Sequence, residues 1–561
     1  MQLGRQRGVR LGRLVQQVVR GPHRSTVFPV SPRRNPRQAG NCCAQHHPKL
    51  SKRVDARPYG MQHTSFSAES LSPNRLGPPR ADVLATDAAL TRSGSDRRRS
   101  GNRQSALLIV PPFVRSSSGP GLGPSMLSGA AAHAGHRVDI VDLAIDVVHQ
   151  LTSADELRAE TGLAGDHDKN DVALRNAQRA FFDVVAARTK LTVDQLRGCR
   201  LSWPEVDVAV DALSETSWAR AATRRLARVD RPTLVGVSVM FADQVLAALV
   251  VTGIARRFWP STPIVWGGAH VTALAPEIAA NARYGHGIDG FVAGYAERTF
   301  VDLLAAVRDE SPWPTSVFAA GSHAWTRAAG ILETTPAFED LREYGAPRLS
   351  LPAQVTRGCA YGKCEFCTYP AVEGSVVQPT ALHHVEPVVA EAAARGAVVS
   401  FKDALMTIPF LRDVASLIAG RARWSACTKV APALVELFPA LAASGCETLE
   451  VGIETLVERS QMVINKKVTR RLVEALLRAA QTSRVRIVVN YMTGLPFECA
   501  RDAADCYLWI QDLAAATDAF VEHHEFEAER RAKIVSHLRV TATWPWSSVV
   551  GWEPLSATTA D

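Results

Sequence analysis

The sequence lacks a long apolar run. Hydrophobic residues make up 46% of its 561 residues, but no stretch of 18 consecutive apolar residues occurs, and a membrane-spanning helix needs about 20. The ten cysteines show no disulfide framework, and the chain does not open on an apolar stretch of the signal-peptide type. These absences argue against a membrane or secreted protein and predict a protein of the reducing cytoplasm.

Acidic residues are scarce in the first 103 residues, which carry 20 Lys and Arg against 5 Asp and Glu. The rest of the chain carries 44 against 50, so the net charge of +9 is no evidence for nucleic-acid binding. Because Arg, Pro, Ser and Gly dominate this segment without periodicity, we predict a disordered basic extension over 1–103. Its first twenty residues also resemble organelle transit peptides. The alternative is an unstructured extension with Met61 as a later start.

Five β-rich apolar runs follow, separated mostly by stretches of helical length. They lie at 106–112, 137–143, 233–241, 263–268 and 288–297. This alternation predicts an α/β fold with a doubly wound parallel sheet over 104–310, interrupted by a mostly helical insertion at 150–230. Such sheets bind ligands at the carboxyl ends of their strands, where small residues let a broad ligand approach the backbone. The candidate residues there are Ser238, Gly267, Gly268 and Gly294.

A second αβ series begins after a predicted linker at 311–349. Its candidate strands lie at 353–359, 398–403, 423–429, 448–454, 486–494 and, more weakly, 537–544. Six βα units in one domain predict a parallel barrel, partial or full, with its chemistry at the carboxyl ends of the strands. We place the barrel core at 350–520, and a segment at 521–561 completes or follows it.

Three cysteines, Cys359, Cys364 and Cys367, follow the first of these strands within nine residues. Structural zinc needs four ligands in a closed tetrahedron, and only His383 and His384 could complete such a site from nearby. Three thiols with no obvious fourth ligand instead favour an iron–sulfur cluster with one iron left open.

The stretch from about 104 to 545 resembles the cobalamin-binding-domain radical S-adenosylmethionine (SAM) enzymes. The cysteine motif "CAYGKCEFC" is one residue longer in its first gap than the usual pattern of that family. The resemblance also covers "FKDA" (401–404), "VGIET" (451–455) and "MTGLPFE" (492–498). It implies a flavodoxin-like, cobalamin-binding sheet followed by a partial (β/α)6 barrel. The SAM contacts that it implies come from Phe366, Asp403, Glu454 and Gly494.

The resemblance further implies a [4Fe–4S] cluster on the three cysteines, SAM as co-substrate and bound cobalamin. The Asp-x-His-x-x-Gly signature of a cobalt-ligating histidine is absent, so the corrinoid is expected to bind without a protein histidine. Methylation of an unactivated carbon or phosphorus is the expected reaction. Radical rearrangement or cyclisation and a non-catalytic corrinoid or metal sensor are the alternatives. The expected partners are a small-molecule or peptide substrate and an electron donor such as flavodoxin or ferredoxin, with no nucleic acid and no membrane.

Overall fold

The computed structural model describes residues 105–112, 119–145, 181–328, 334–339, 341–344 and 349–555. The predicted basic extension (1–103) lies outside these residues, and so does the first part of the predicted helical insertion, up to residue 180. The later part of that insertion is helical, as expected. No described helix is long and apolar enough to cross a membrane.

The first half of the described chain is a six-stranded sheet with the order β2-β1-β3-β4-β5-β6. Strands β1 to β5 are parallel, and β6 pairs antiparallel with β5. The order 2-1-3-4-5 is that of flavodoxin-like sheets, whose ligands bind beside β1 and β3, where the strand order reverses. The strands are β1 (Ser105–Val110), β2 (Arg137–Asp142), β3 (Val235–Ser238), β4 (Ile264–Gly267), β5 (Gly290–Val292) and β6 (Val317–Phe318).

Helices accompany this sheet, and their apolar faces form its core. In β1, five of six residues are buried, as expected for a strand covered on both faces. The helices are α1 (Leu122–His133), α2 (Val193–Leu196), α3 (Trp203–Ser214), α4 (Ser217–Leu226), α5 (Val245–Phe258), α6 (Ala269–Ala280) and α7 (Glu297–Arg308).

The second half is a partial barrel with the strand order β14-β13-β12-β11-β10-β7, parallel throughout. Among the described residues, the outer strands β7 and β14 do not pair with each other, so the barrel stays open. Its strands are β7 (Ser350–Ala353), β10 (Val398–Phe401), β11 (Arg423–Thr428), β12 (Cys446–Glu454), β13 (Arg486–Thr493) and β14 (Phe520–Glu525).

The barrel helices pack on the outer face of this sheet by the usual helical periodicity. In the helix that precedes β13, Val473, Leu476, Leu477 and Ala480 are buried, and the Thr469 side chain caps the first turn. The helices are α8 (Tyr369–Val372), α9 (Glu386–Arg395), α10 (Ile408–Ile418), α11 (Pro432–Ala443), α12 (Glu458–Val463), α13 (Arg470–Ser483) and α14 (Ala500–Thr517).

Two strand predictions are wrong. The first barrel strand was expected at 353–359, but β7 ends at Ala353, and residues 356–357 (β8) pair antiparallel with Gln378–Pro379 (β9). The sixth strand was expected at 537–544, but that segment is β15 (Leu538–Thr543), which pairs antiparallel with β16 (Val550–Pro554) outside the barrel. The true sixth strand, β14, reads "FVEHHE" and has no buried residue, so it lacks the apolar signal of a strand.

The segment predicted as a linker is part of the first sheet. It contributes β6, and the Tyr344 hydroxyl donates a hydrogen bond to Asp142 Oδ2 at the end of β2 (3.1 Å). A connection between the halves therefore begins only after these contacts.

Candidate cluster and cofactor site

The three cysteines lie in one loop at the carboxyl end of the barrel, which we call the cysteine loop (359–367). All three are free, half-buried thiols. The Cys359 N–H donates to Gly374 O (3.2 Å), and the Cys367 N–H donates to Cys364 O (3.4 Å). The loop thus folds back on itself, with its three thiols on neighbouring turns.

Backbone contacts hold the cysteine loop from two sides. The Glu365 N–H donates to Ile464 O (3.2 Å), and Glu365 O accepts from the Ile534 N–H (2.8 Å). The Tyr361 hydroxyl donates to Asn465 O, and Asn465 Nδ2 donates to Lys363 O (3.1 Å). The loop position is therefore fixed by the turn after α12 and by the segment that follows β14.

The thiols are partly removed from water but lie near two cations. Burial raises the pKa of Cys364 and raises that of Cys367 to about 12, while the ammonium group of Lys466 acts in the opposite direction on both. The ammonium group of Lys429 also lowers the pKa of Cys364, and its Nζ lies 3.2 Å from the centroid of the Tyr361 ring. Since thiolates are the metal ligands, these two cations would offset the negative charge of a thiolate-bound cluster.

This donor set fits a cluster better than a single ion. Within the described ranges, no three His, Cys, Asp or Glu side chains are arranged to hold one metal ion. A cubane cluster takes one thiol per iron, so its ligands need not converge on one point. Three free thiols in one loop, beside two ammonium groups, meet that requirement.

Glu454 reaches the cysteine loop from the end of β12. It is buried, and its backbone is left-handed (φ 68°) where the pairing of β12 with β13 is irregular. Its Oε1 accepts from Lys466 Nζ (2.9 Å). A Cβ at Gly452 would lie 2.2 Å from that oxygen and 2.7 Å from that nitrogen, so a side chain there would displace the ion pair. A strained backbone and a buried ion pair beside a ligand loop are typical of a functional site.

Asp403 is buried after β10 and faces the backbone that leads into the cysteine loop. Its Oδ1 accepts from the Thr356 N–H (2.6 Å) and Oγ1 (2.7 Å), and both carboxylate oxygens accept from the Val355 N–H. Burial raises its pKa to about 6, although these hydrogen bonds favour the charged form. These contacts hold residues 355–356, directly after the last residue of β7 that pairs with β10.

Phe366 and the turn after β13 lie together. Phe366 packs against a small apolar cluster that contains Ile464, Leu495 and Phe526. Gly494 directly precedes Leu495, and apart from its chain neighbours no atom of the described residues lies within 4 Å of the position its Cβ would take. Phe366 and the residue after Gly494 therefore belong to the same apolar packing, and open space lies above that glycine.

The four candidate cofactor residues of the first sheet lie at the carboxyl ends of neighbouring strands. Ser238 ends β3, Gly267 ends β4, and Gly268 precedes α6. Gly294 follows β5. All four are half-buried and share one edge of the sheet, beside the strand-order reversal.

The three glycines among these residues differ in how much room a side chain would have. A Cβ at Gly268 (φ 106°) would lie 2.4 Å from Val239 O, and one at Gly294 (φ 97°) would lie 2.5 Å from Ala328 O, so the fold itself requires both. Gly267 has no such constraint: the nearest protein atom would lie 3.6 Å from its Cβ. Its missing side chain leaves space at the strand edge.

Sequence reasoning missed the contacts that join this edge to the cysteine loop. The Tyr295 hydroxyl donates to Glu373 Oε2 (3.0 Å) and accepts from the Gly358 N–H (3.1 Å), next to the first cysteine. Arg357 forms a buried ion pair with Glu297, and its guanidinium lies 4.5 Å from the centroid of the Tyr295 ring. The sequence placed Gly294 at the end of a predicted strand, but nothing in the local sequence marks Arg357 as the partner of Glu297.

Comparisons with known proteins agree with this geometry. Residues 202–304 match the sequence model of the B12 binding domain family, and this range contains all four candidate cofactor residues of the sheet. No curated protein matches the chain. Similar solved structures cover most of the chain, beyond the range of that family model.

One similar structure is TsrM from Kitasatospora setae, a radical SAM methyltransferase solved with tryptophan and a SAM analogue. It has a TM-score of 0.52 at 15% identity and covers 78% of this chain and 79% of its own. Another is OxsB, a cobalamin-dependent SAM radical enzyme solved with aqua-cobalamin and SAM. It has a TM-score of 0.55 at 10% identity and covers 81% of this chain and 65% of its own. The chain has the fold of the cobalamin-dependent radical SAM enzymes. The predicted fold class and family resemblance are confirmed.

Proposed function

We propose that this protein is a cobalamin-dependent radical SAM methyltransferase that methylates an unactivated carbon or phosphorus of a small-molecule or peptide substrate. The contacts of Tyr295 and Glu297, at the strand edge, with Arg357, Gly358 and Glu373, which flank the cysteine loop, carry the proposal. Methyl transfer through cobalt needs the corrinoid and the cluster close to one substrate. The cofactors named for TsrM and OxsB support the same assignment.

The residue roles follow from the site. The thiols of Cys359, Cys364 and Cys367 would hold the cluster, leaving one iron for SAM. When bound, the cluster and SAM would supply a 5′-deoxyadenosyl radical and the corrinoid a methyl group.

The other proposed contacts divide between the two cofactors. Phe366 and the open space above Gly494 would receive the adenosyl part of SAM, and Glu454 would contact SAM beside the cluster. Asp403, whose oxygens already accept backbone hydrogen bonds, would position the loop as well as contact SAM. The edge formed by Ser238, Gly267, Gly268 and Gly294 would receive the corrinoid.

The cluster assignment is tested by anaerobic reconstitution of the full chain. We expect wild-type protein to hold about four irons with matching sulfide, and the triple Cys359→Ala, Cys364→Ala, Cys367→Ala variant to hold none. Cys499→Ala is the matched control, because Cys499 is an exposed thiol outside the cysteine loop. Stoichiometric zinc without sulfide would contradict the assignment.

Two alternative functions can be distinguished from methyl transfer by what the protein produces. A radical rearrangement or cyclisation would leave the substrate mass without an added methylene, whereas methylation adds one. A sensor would bind corrinoid or metal but would not cleave SAM when reduced. The cytoplasmic setting and a flavodoxin or ferredoxin donor belong to the proposal, supported by the absence of disulfides among the described cysteines.

A further inference from the structure

The inner face of the barrel sheet is polar and open. Along each strand, alternate residues such as Val399, Phe401, Leu449 and Val451 are buried in the core under the helices. Their neighbours point to the other face, and most of them are half-buried or exposed. In a closed barrel these positions are filled by large apolar side chains. Here they include Ser400, Lys402, Ser425, Cys427, Glu450, Gly452 and Asn490, and the space that they surround we call the lumen.

Glu450 already has a hydrogen-bond donor in the lumen. Asn490 Nδ2 donates to its Oε1 (2.6 Å). Cys427 lies beside this carboxylate, and burial, reinforced by Glu450, raises the pKa of Cys427, so the thiol keeps its proton. The lumen carboxylate is therefore satisfied by the protein.

Lys402 is not satisfied in the same way. Across the described ranges its ammonium makes no ion pair and no hydrogen bond, although Glu450 and Cys427 are close enough to act on it electrostatically. The side chain is reached by water, yet the surrounding protein lowers its pKa. A side chain at the bottom of a concave space has both properties, because water reaches it while protein atoms surround it. A cation in such a place favours an anionic partner.

Tyr369 connects this space to the cysteine loop. It follows Cys367 by two residues, it is 50% exposed, and both Cys367 and Glu450 act on it electrostatically and raise its pKa. An aromatic ring exposed between the thiols and the lumen offers an apolar surface beside the ammonium of Lys402.

We propose that Lys402, which faces the lumen, binds a carboxylate of the substrate, whose body lies against Tyr369. This inference rests on the proposed function and gives it a substrate class: molecules with a carboxylate near an apolar group. A carboxylate could also come from SAM, so the test must separate the two sources.

The test uses two probes on anaerobically reconstituted full-length protein: phenylacetate and its neutral amide, phenylacetamide. Calorimetry should show that wild-type protein binds phenylacetate about tenfold more tightly, as expected for a charge-assisted contact. Lys402→Met should lose this preference and Lys402→Arg should keep it. Lys190→Met, at an exposed lysine of the first half, is the control and should keep it too. Equal affinities in wild type, or a preference that survives in Lys402→Met, would overturn the proposal.

A SAM titration of the same proteins distinguishes the source of the carboxylate. If Lys402 serves the substrate, SAM affinity in Lys402→Met should stay within about threefold of wild type, and phenylacetate should not displace SAM. A parallel loss of SAM affinity, with competition between SAM and phenylacetate, would assign the ammonium to SAM and refute the substrate site. Failure of the methyltransferase proposal itself would appear separately, as wild-type protein without a cluster or without SAM cleavage.

Discussion

Two buried carboxylates beside the cysteine loop, Asp403 and Glu454, differ in what surrounds them. Asp403 accepts backbone and hydroxyl hydrogen bonds from residues 355–356, whereas Glu454 accepts from one ammonium group, Lys466. Sequence motifs identified both residues but could not separate these environments. The space for the Glu454–Lys466 pair depends on Gly452, and the position of Lys466 depends on a turn twelve residues further along the chain. Such contacts between distant residues leave no local pattern.

The glycines of the proposed corrinoid site, at the carboxyl ends of β4 and β5, give a prediction at the scale of one residue. Gly267→Leu should block binding of hydroxocobalamin while the fold and the cluster remain, because its Cβ would make only ordinary van der Waals contact, 3.6 Å from Val292 O. Gly267→Ala should weaken binding far less. Binding is measured by the absorption of the retained corrinoid after gel filtration, and iron content is measured on the same sample. With no histidine in the usual motif, the bound corrinoid should show a base-off spectrum.

Gly268→Ala is the contrasting variant. Its Cβ would collide with backbone at Val239 in a conformation that side chains rarely adopt, so it should cost about 1–3 kcal/mol of stability before any effect on ligand. If Gly267→Leu binds hydroxocobalamin as wild type does, the corrinoid does not use this edge.

At the scale of elements, the segment between β15 and β16 returns to the first sheet. Trp546 is buried in that core, with ring centroids 4.6 Å from Tyr284 and 5.5 Å from Trp266. His270 Nε2 donates to Trp546 O (2.9 Å), and the Tyr284 hydroxyl donates to Pro545 O. The sequence predicted a last barrel strand at 537–544. Apolar alternation predicts that a strand forms but not which strand it pairs with.

His270 makes this docking sensitive to pH. Burial lowers its pKa from 6.5 to about 4, so the folded protein keeps the ring neutral. Between those two values the unfolded chain binds a proton that the folded chain does not, and stability therefore falls as the pH drops from 6.5 towards 4. Over that whole pH range the free energy of unfolding should fall by about 3 kcal/mol. Urea unfolding at pH 7 and pH 5 should show about 2 kcal/mol of this loss, because at pH 5 the drop towards pH 4 is only partly complete.

The control variants separate His270 from other groups. His270→Gln keeps a donor for Trp546 O but cannot titrate, so its loss of stability between pH 7 and pH 5 should be smaller than that of wild type. His133→Gln, at an exposed position, should behave as wild type. An unchanged pH response in His270→Gln would show that other groups dominate.

At the scale of the whole molecule, the order of strands and helices in both halves follows from apolar periodicity, and most predicted strands overlap the observed ones. The exceptions are the edges of the barrel, where β7 ends at Ala353, before the residues that bond to Asp403, and β14 is polar. The joining of the halves could not be predicted. It depends on side chains that lie far apart in the sequence, such as Glu297 and Arg357, and each of them alone is an ordinary charged residue.

The Arg357–Glu297 pair predicts how strongly the two halves depend on each other. Both side chains are almost fully buried, at 4% and 5% exposure, and Arg357 Nη1 and Glu297 Oε2 find no hydrogen-bond partner among the described residues. Removing one partner leaves an uncompensated buried charge, so Glu297→Met and Arg357→Met should each lower the free energy of unfolding by about 3–5 kcal/mol. The double variant should lie much closer to wild type, because an incompletely satisfied buried pair gains little over an apolar one. Urea unfolding of the four proteins completes the cycle, and the iron content of each reports whether the adjoining cysteine loop keeps its geometry. Additive losses in the double variant would mean that the two side chains act independently and that the pair does not hold the strand edge to the cysteine loop.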